Sequence, residues 1–411
     1  MQTYIVGGYI RDEMLGVPSH DRDFVVVGAT HEEMIELGYK QVGADFPVYL
    51  SKNNEEFALA RTERKDGNGY KGFAVNADSN ITIEQDLVRR DISINAMALE
   101  HGVYPRVLID PCNGKQDLID RILRHCSEAF RDDPLRVLRV ARFMAKFFDK
   151  GFRIAPETMQ LMREMVASGE LNHLTPERIW LETVKALETN HPSAYFNTLL
   201  ECGALKVVFP ELHALTGVDQ PAAHHPEIDT YVHVMMCVDL SAKLKQTTVQ
   251  RFAALVHDLG KGITPKDELP QHKAHEHRGV PLVEAMCDRL KVPNPYRWMG
   301  VNACRYHLNI HTVKQLTHKT LLRKIILIGG SNVGQAGRVL QLIDVCMVDA
   351  KGRLGFENND YPQREYLIGA INALHAIDNK ALLQFVPQER IVETLHRKRL
   401  SVLKDYINSV S

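Results

Sequence analysis

Two aspartates one residue apart, Asp21 and Asp23, open the apolar run Phe24-Val25-Val26-Val27, which ends at Gly28. A run of that length and composition reads as a strand, where alternate side chains share a face. The two carboxylates are therefore expected side by side, with Arg22 turned away. Upstream, Tyr4-Ile5-Val6 reads as another strand that runs into Gly7-Gly8, and a helix carrying Arg11-Asp12 is expected from Tyr9. Paired hard oxygen ligands suit Mg²⁺, which takes one or two carboxylates and leaves its other positions to water and phosphates. Glycines let backbone approach a phosphate, and the amides of a helix N-terminus face the anion. An Asp-x-Asp pair alone is common on solvated loops. With Gly-Gly and Arg11 before it, the layout fits nucleotidyl transfer.

A chain of 411 residues exceeds the usual size of one hydrophobic core, so two to four domains are expected. The net charge of −1 argues against indiscriminate binding of nucleic acid through overall charge, although a local basic face can still neutralise several phosphates. The seven cysteines are far apart, with no Cys-x-x-Cys pair, which speaks against a zinc ribbon or a disulfide framework and fits a reducing cytoplasm. No secretory leader is read at the N-terminus, and no apolar run approaches the ~18 residues of a membrane span. A cytoplasmic protein without a membrane partner is expected.

Along the chain, strands are expected at Tyr4–Val6, Phe24–Val27, Pro47–Leu50, Phe57–Ala60 and Val107–Ile109, and helices at Glu32–Leu37 and Glu84–Val88. The Gly-, Asn- and charge-rich stretch Glu63–Asn80 reads as a loop that could cover a bound nucleotide. After Gly114 the pattern is helical: Lys115–Leu123, Pro134–Phe148, Pro156–Ala167, Pro176–Glu188 and Ser193–Glu201. Prolines sit in the first turns, with Asp133 and Thr175 as expected N-caps. Pro221-Ala-Ala-His-His-Pro226 marks a boundary, and helices resume at Thr230–Leu244 and Thr248–Leu255. Lys261–Lys273 reads as a surface loop, and the chain closes on a basic helix, Glu389–Ile407.

Four segments in order carry a resemblance: Val6-Gly-Gly-Tyr-Ile-Arg-Asp12, His20-Asp-Arg-Asp-Phe24, Arg89-Arg-Asp-Ile-Ser-Ile-Asn-Ala-Met97 and Asp132-Asp-Pro-Leu-Arg-Val-Leu-Arg139. Followed by His257-Asp258, they resemble the class II tRNA nucleotidyltransferases, and within them the bacterial multifunctional CCA-adding enzymes, whose transferase is fused to an HD phosphohydrolase domain. The resemblance covers nearly the whole chain, thinning after about Leu354. It implies an α+β protein: a mixed α/β head (1–112), a helical neck that reads the nucleotide base (113–148), a helical body (149–220), an HD domain (228–331) and a helical tail (332–411). It also implies addition and repair of the 3′-terminal CCA of tRNA from CTP and ATP, with release of pyrophosphate and no nucleic-acid template. A bacterial poly(A) polymerase shares the head segments but usually lacks an HD domain, and is the runner-up. A lone phosphohydrolase with a dead head would not need both Asp21 and Asp23, and a non-catalytic RNA-binding module would need neither site.

Phosphoryl transfer is mostly positioning and charge neutralisation. Asp21 and Asp23 are expected to hold Mg²⁺ between the triphosphate and the RNA 3′-hydroxyl, with Glu63 a further carboxylate. The resemblance assigns Gly8, Arg11, Arg90, Arg136 and Arg139 to the triphosphate. Asn95 is placed to read the ribose 2′-hydroxyl. Arg136, Arg139 and Arg142 recur every three residues, which gives a basic stripe on one helical face. The resemblance further implies that Asp133 and Arg136 imitate a complementary base. A carboxylate accepts from the exocyclic amine of cytosine or adenine and repels the carbonyl of uracil or guanine. The family usually has Glu-Asp where this chain has Asp132-Asp133, which leaves Asp133 in register.

His257-Asp258 closes an apolar helix and is followed by Leu-Gly-Lys261. Imidazole with carboxylate suits a transition metal such as Ni²⁺ or Mn²⁺ better than Mg²⁺ alone. The HD resemblance implies a site of His233, His257, Asp258 and a later Asp, with Asp344 and Asp349 the alternatives. His275, His277 and His307 are further ligand types nearby, and His224-His225 reads as a hydrogen-bonded turn. The expected chemistry is metal-assisted hydrolysis of phosphomonoesters and 2′,3′-cyclic phosphates. The expected partners are tRNA, CTP and ATP, on a monomer or weak homo-oligomer.

Overall fold

The computed structural model describes residues 1–19, 22–42, 48–65, 73–76, 79–223 and 225–410, the side chains of 62–65 and 73–76 excepted. Asp21, His20 and His224 lie outside the described residues, and Glu63 is described by its backbone only. The chain divides into two compact units, residues 1–208 and 209–411.

The first unit begins β1 (Gln2–Val6), α1 (Gly8–Met14), β2 (Asp23–Val27), α2 (His31–Glu36), β3 (Lys40–Val42), β4 (Val48–Leu50), β5 (Glu56–Leu59), β6 (Thr62–Lys65) and β7 (Phe73–Asn76). Then come α3 (Ile83–Val88), β8 (Ala98–Glu100) and β9 (Leu108–Ile109). Seven strands form a mixed sheet in the order β3-β4-β5-β2-β1-β8-β9, with β1 antiparallel and β5 parallel to β2. The register pairs Val6 with Asp23, so the carboxylate strand begins beside Gly7-Gly8. Alternation puts Tyr4, Val6 and Val25 into one apolar cluster with Ile83 and Leu87 of α3. Reciprocal capping boxes, Thr30 with Glu33 and Thr82 with Gln85, start α2 and α3.

Part of the expected loop is structured. β6 and β7 pair antiparallel as a separate ribbon, which the sequence hid because Thr-Glu-Arg-Lys has no apolar alternation. The helix expected over Lys115–Leu123 also stops early. It ends at Asp120, Arg121 turns to φ 58°, and Ile122–Leu123 pairs parallel with Arg153–Ile154. No glycine marks that left-handed position.

The remaining helices of this unit are α4 (Gly114–Asp120), α5 (Leu135–Phe147), α6 (Pro156–Ala167), α7 (Pro176–Leu187), α8 (Ser193–Glu201) and α9 (Ala204–Val208). α5 buries Val137, Leu138, Ala141 and Phe147 and packs on α7 and α8. Asp133 caps this region by accepting the Leu135 N–H at 3.0 Å, whereas Thr175 makes no side-chain cap bond to α7.

The second unit is helical: α10 (Pro210–His213), α11 (Thr230–Lys243), α12 (Thr248–Val256), α13 (His275–Arg289), α14 (Asn294–His311), α15 (His318–Leu327), α16 (Ala336–Lys351), α17 (Gln363–His375), α18 (Asn379–Leu383) and α19 (Ile391–Val410). Between Lys261 and Lys273, the expected loop contains short 3-10 turns. The core lies among α12, α14 and α16, where Ala253, Met299, Ala303, Leu342 and Cys346 are buried together.

Candidate active sites

In the first unit, a cleft of about 510 Å³ is lined by seven arginines (Arg11, Arg61, Arg89, Arg90, Arg136, Arg139, Arg178) and three aspartates (Asp23, Asp91, Asp133), with Gly7, Gly8 and Asn95. Such an excess of guanidinium groups attracts a polyphosphate. The first glycine of the pair is set by its conformation, with space a weaker constraint. Gly7 sits at φ +74°, and a Cβ there would meet Arg90 Nη1 at 3.2 Å.

Several of these arginines are fixed before any ligand arrives. Arg11 makes two 2.8 Å bonds to the carboxylate of Asp12. Buried Asp86 takes Arg89 on one oxygen at 2.6 Å and Arg90 on the other at 3.1 Å. Burial opposes the charge of Asp86, but Arg90 and Arg89 hold it below the usual carboxylate range. Asp91 likewise overcomes its burial through Arg139, 2.7 Å away, and is pulled down to about 2. Asn95 accepts from Arg11 Nη1 and donates to Asp91 Oδ1 at 3.3 Å, so the residue expected to read a ribose also joins the Arg11 and Arg139 groups.

Asp133 and Arg136 both line this cleft, but each is held by a different group. Asp133 gives Oδ1 to the Leu135 amide and Oδ2 to Arg178 Nη2 at 2.7 Å. Arg136 is buried and donates to the carbonyls of Ala129 (2.6 Å) and Arg89 (2.7 Å). The expected basic stripe divides: Arg136 and Arg139 reach the cleft, whereas Arg142 turns to Glu182 and stacks on Phe143. Arg61 and Arg178 were missed by the sequence reading because they come from a strand end and from α7, far from the motifs.

In the second unit, four donor atoms converge. His233 Nε2 lies 3.2 Å from Asp349 Oδ1 and 3.8 Å from Asp258 Oδ2. His257 Nε2 lies 3.2 Å from that Asp258 oxygen and 3.5 Å from Asp349 Oδ1. Donors bound at about 2.1 Å to one ion sit about 3.0–3.4 Å apart in octahedral or tetrahedral geometry, so this spacing suits a coordination sphere. His257 Nδ1 faces the Ala254 carbonyl at 2.8 Å, so Nε2 is the nitrogen turned toward the cage. That nitrogen is buried without a hydrogen-bond partner among the described residues. Burial opposes a charge on His257, yet Asp258 and Asp349 raise it to about 10, a measure of how strongly this cage favours positive charge. The residues fit a metal ion.

Asp349 is the later aspartate of the cage; the alternative, Asp344, pairs with Arg364 at 2.7 Å. His275 and His307 join the cluster beside Asp258, whereas His277 is exposed next to Glu276 and is not part of it. His225 bonds Glu227 at 2.9 Å, a turn contact. The sequence reading missed Glu227, which faces His233 Nδ1 at 3.1 Å and orients the ring as outer carboxylates do for metal-bound imidazoles. It also missed Cys237, 3.6 Å from His233 Nε2, and His311, 2.6 Å from Asp349 Oδ2. A cavity of about 630 Å³ opens onto Asp258, Asp349 and His307, with Lys261 and Arg353 in its wall.

An arginine-lined cleft on a mixed sheet and a buried His/Asp cage in a helical unit define a nucleotidyltransferase carrying an HD domain. The model of the poly A polymerase head domain matches residues 3–124, that of a probable RNA- and SrmB-binding site of polymerase A matches 151–216, and the HD domain matches 230–346. The multifunctional CCA protein of Teredinibacter turnerae is 48% identical over 410 residues, covering 98% of both chains. That of Thioalkalivibrio sulfidiphilus is 49% identical over 406 residues, again 98% of both. The chain belongs to the multifunctional CCA protein family. In fold it is similar to the Thermotoga maritima CCA-adding enzyme solved with tRNA, at a TM-score of 0.62 and 19% identity, over all of this chain and 92% of that one.

Proposed function

We propose that this protein adds and repairs the 3′-terminal CCA of tRNA without a nucleic-acid template, using CTP and ATP and releasing pyrophosphate. Its HD unit would hydrolyse phosphomonoesters and 2′,3′-cyclic phosphates. The observation that carries the first activity is the cleft in which anchored guanidinium groups meet Asp23 and Asp133. Family membership over nearly the whole chain supports it.

Asp21 and Asp23 would hold Mg²⁺, and the chemistry an ion supplies there is neutralisation of charge on the transferring phosphoryl group. Gly8 gives the triphosphate a close backbone approach, and Arg11, Arg90 and Arg139 neutralise its oxygens from fixed positions, so little reorganisation accompanies the reaction. Asp133 and Arg136 read the Watson–Crick edge of the base. The roles divide as a head (1–112), a base-reading neck (113–148), a body (149–220), an HD domain (228–331) and a tail (332–411). The basic surface of the neck and tail helices would hold tRNA through its shape and backbone.

In the HD unit, His233, His257, Asp258 and Asp349 would hold a transition metal, with Ni²⁺ and Mn²⁺ suited to this donor set. Lys261 and Arg353 orient a phosphate in the adjoining cavity. Among the described residues no helix is long and apolar enough to cross a membrane, in keeping with a protein that acts in the cytoplasm.

Incubation with tRNA lacking its CCA and with each triphosphate alone is the test. CTP alone should add two nucleotides and stop, and ATP should add one thereafter. Continuous ATP addition to any RNA end would instead favour a poly(A) polymerase.

A further inference from the structure

We propose that Gln363 accepts a hydrogen bond from the sugar hydroxyl that flanks the scissile phosphate, so that the cavity of the HD unit favours a phosphomonoester with a free neighbouring hydroxyl over a cyclic one. The inference rests on reading that unit as a phosphohydrolase.

The cavity beside the His/Asp cage holds about 630 Å³, room for a nucleotide rather than for phosphate alone. Two glutamines in its wall present amide atoms whose identity is fixed by their neighbours. Lys261 Nζ, which can only donate, lies 2.6 Å from Gln220 Oε1, so the other amide atom of Gln220 is an N–H donor. Gln363 is the reverse case. Its Nε2 donates to the His311 carbonyl at 3.2 Å, an atom that can only accept, so Oε1 is the group left over. Gln220 Nε2 and Gln363 Oε1 are both buried without a hydrogen-bond partner among the described residues. An unmet buried donor or acceptor costs free energy, and a ligand in the cavity can supply the partner.

The two amides differ in what they can take. Gln220 sits with Lys261, whose ammonium also lies 2.6 Å from Asp258 Oδ2, and its N–H suits a phosphate oxygen. The carbonyl of Gln363 would repel a phosphate oxygen and needs a donor. Position makes that donor a sugar hydroxyl. The carbonyl that holds Gln363 belongs to His311, and the His311 ring reaches Asp349 of the cage at 2.6 Å. The acceptor is thus one residue removed from the cage, close to where the carbons beside the phosphate ester would lie, whereas a base would lie further out.

Gln363 is also anchored on both sides. Tyr361 Oη meets His311 Nδ1 at 2.8 Å, and Arg364 pairs with Asp344 at 2.7 Å, which fixes the start of α17. Arg353, Phe356, Tyr361 and Gln363 all follow Cys346, where the HD match ends. The segment between α16 and α17 therefore closes a cavity whose other wall comes from the HD stretch.

The full chain, with Mn²⁺ supplied, is assayed on adenosine 2′-phosphate, adenosine 2′,3′-cyclic phosphate, glycerol 2-phosphate and isopropyl phosphate. The last is glycerol 2-phosphate without its hydroxyls. Gln363→Met should raise KM about tenfold for the two substrates with a free neighbouring hydroxyl and leave KM for the other two where it was. On the wild-type chain, KM for isopropyl phosphate should exceed that for glycerol 2-phosphate by about tenfold, a comparison that stands whether or not the variant folds. Equal KM for those two on the wild type, or equal losses on all four substrates in the variant, overturns the role of Gln363. Losses confined to the two adenosine substrates overturn it as well, because the base and not the hydroxyl would then meet that carbonyl. Hydrolysis of none of the four by the wild type instead overturns the phosphohydrolase reading.

Discussion

Arg178 on the first turn of α7 holds Asp133, just before α5, through a 2.7 Å bond to Oδ2. The other oxygen is fixed by the Leu135 amide, so the carboxylate cannot rotate without breaking one of two bonds. A rigid acceptor discriminates between an amine and a carbonyl better than a mobile one, because the wrong base cannot be met by turning away. On the proposed reading of Asp133 as a base-recognising residue, base choice in this cleft depends on a residue 45 positions further along the chain.

Asp133→Ala and Arg136→Ala are expected to relax the exclusion of UTP and GTP rather than only slow the reaction. Arg178→Met should do the same more weakly, since it frees the carboxylate without removing it. Competition among all four triphosphates reads this out. Unaltered selectivity in all three variants would rule out protein-based templating at this position.

Asp23→Ala should lower incorporation of both CMP and AMP by about a thousandfold, or several kcal/mol of transition-state stabilisation, with tRNA affinity kept. Single-turnover addition together with a filter-binding isotherm separates the two effects. Asp21→Ala is expected to match it.

His257→Ala should remove metal-dependent phosphatase and cyclic phosphodiesterase activity while CCA addition stays near wild type. Asp23 and the His/Asp cage lie in separate compact units, and the donors proposed for them differ, carboxylates in one and imidazole with carboxylate in the other. A parallel loss of CCA addition would show that they are coupled.

Asp91 gives a pH signature. Its carboxyl is lowered from 3.8 to about 2, so in the folded protein it stays charged where the unfolded chain begins to take up a proton. The net effect of Asp91's surroundings, burial opposed chiefly by Arg139 and further by Arg136 and the Ile92 amide, is therefore about 2 kcal/mol of stability above pH ~4, which fades as pH falls through ~2. Asp91→Asn should destabilise the first unit at neutral pH and lose less on acidification. Hydrogen-exchange protection at 92–95, compared at pH 7 and pH 3, checks the convergence.

Much of the head was legible because its elements are written locally. Strand alternation placed β1 and β2, and Gly7-Gly8 marked the tight turn between strand and helix. Pro156, Pro176 and Ser193 set the starts of α6, α7 and α8. The ribbon of β6 and β7 escaped because Thr62–Lys65 is polar without a period and Phe73–Asn76 is short and set in a Gly- and Asn-rich stretch, and Arg121 escaped because nothing in its type announces a left-handed turn.

The sequence by itself determined which chemical groups the chain owns and how they fall on each strand and helix: an aspartate opening β2, arginines spaced along α5, and a histidine-aspartate pair closing α12. Those are short-range properties, set by backbone period and by the residues adjoining each element. Only the tertiary structure decided which groups meet. It chose Asp349 over Asp344, brought His275 and His307 to Asp258 while leaving His277 outside, and gave Asp133 to Arg178. Such choices depend on helix packing across tens of residues. There a shift of one position along a helix turns a side chain by about 100° and sends it to a different neighbour.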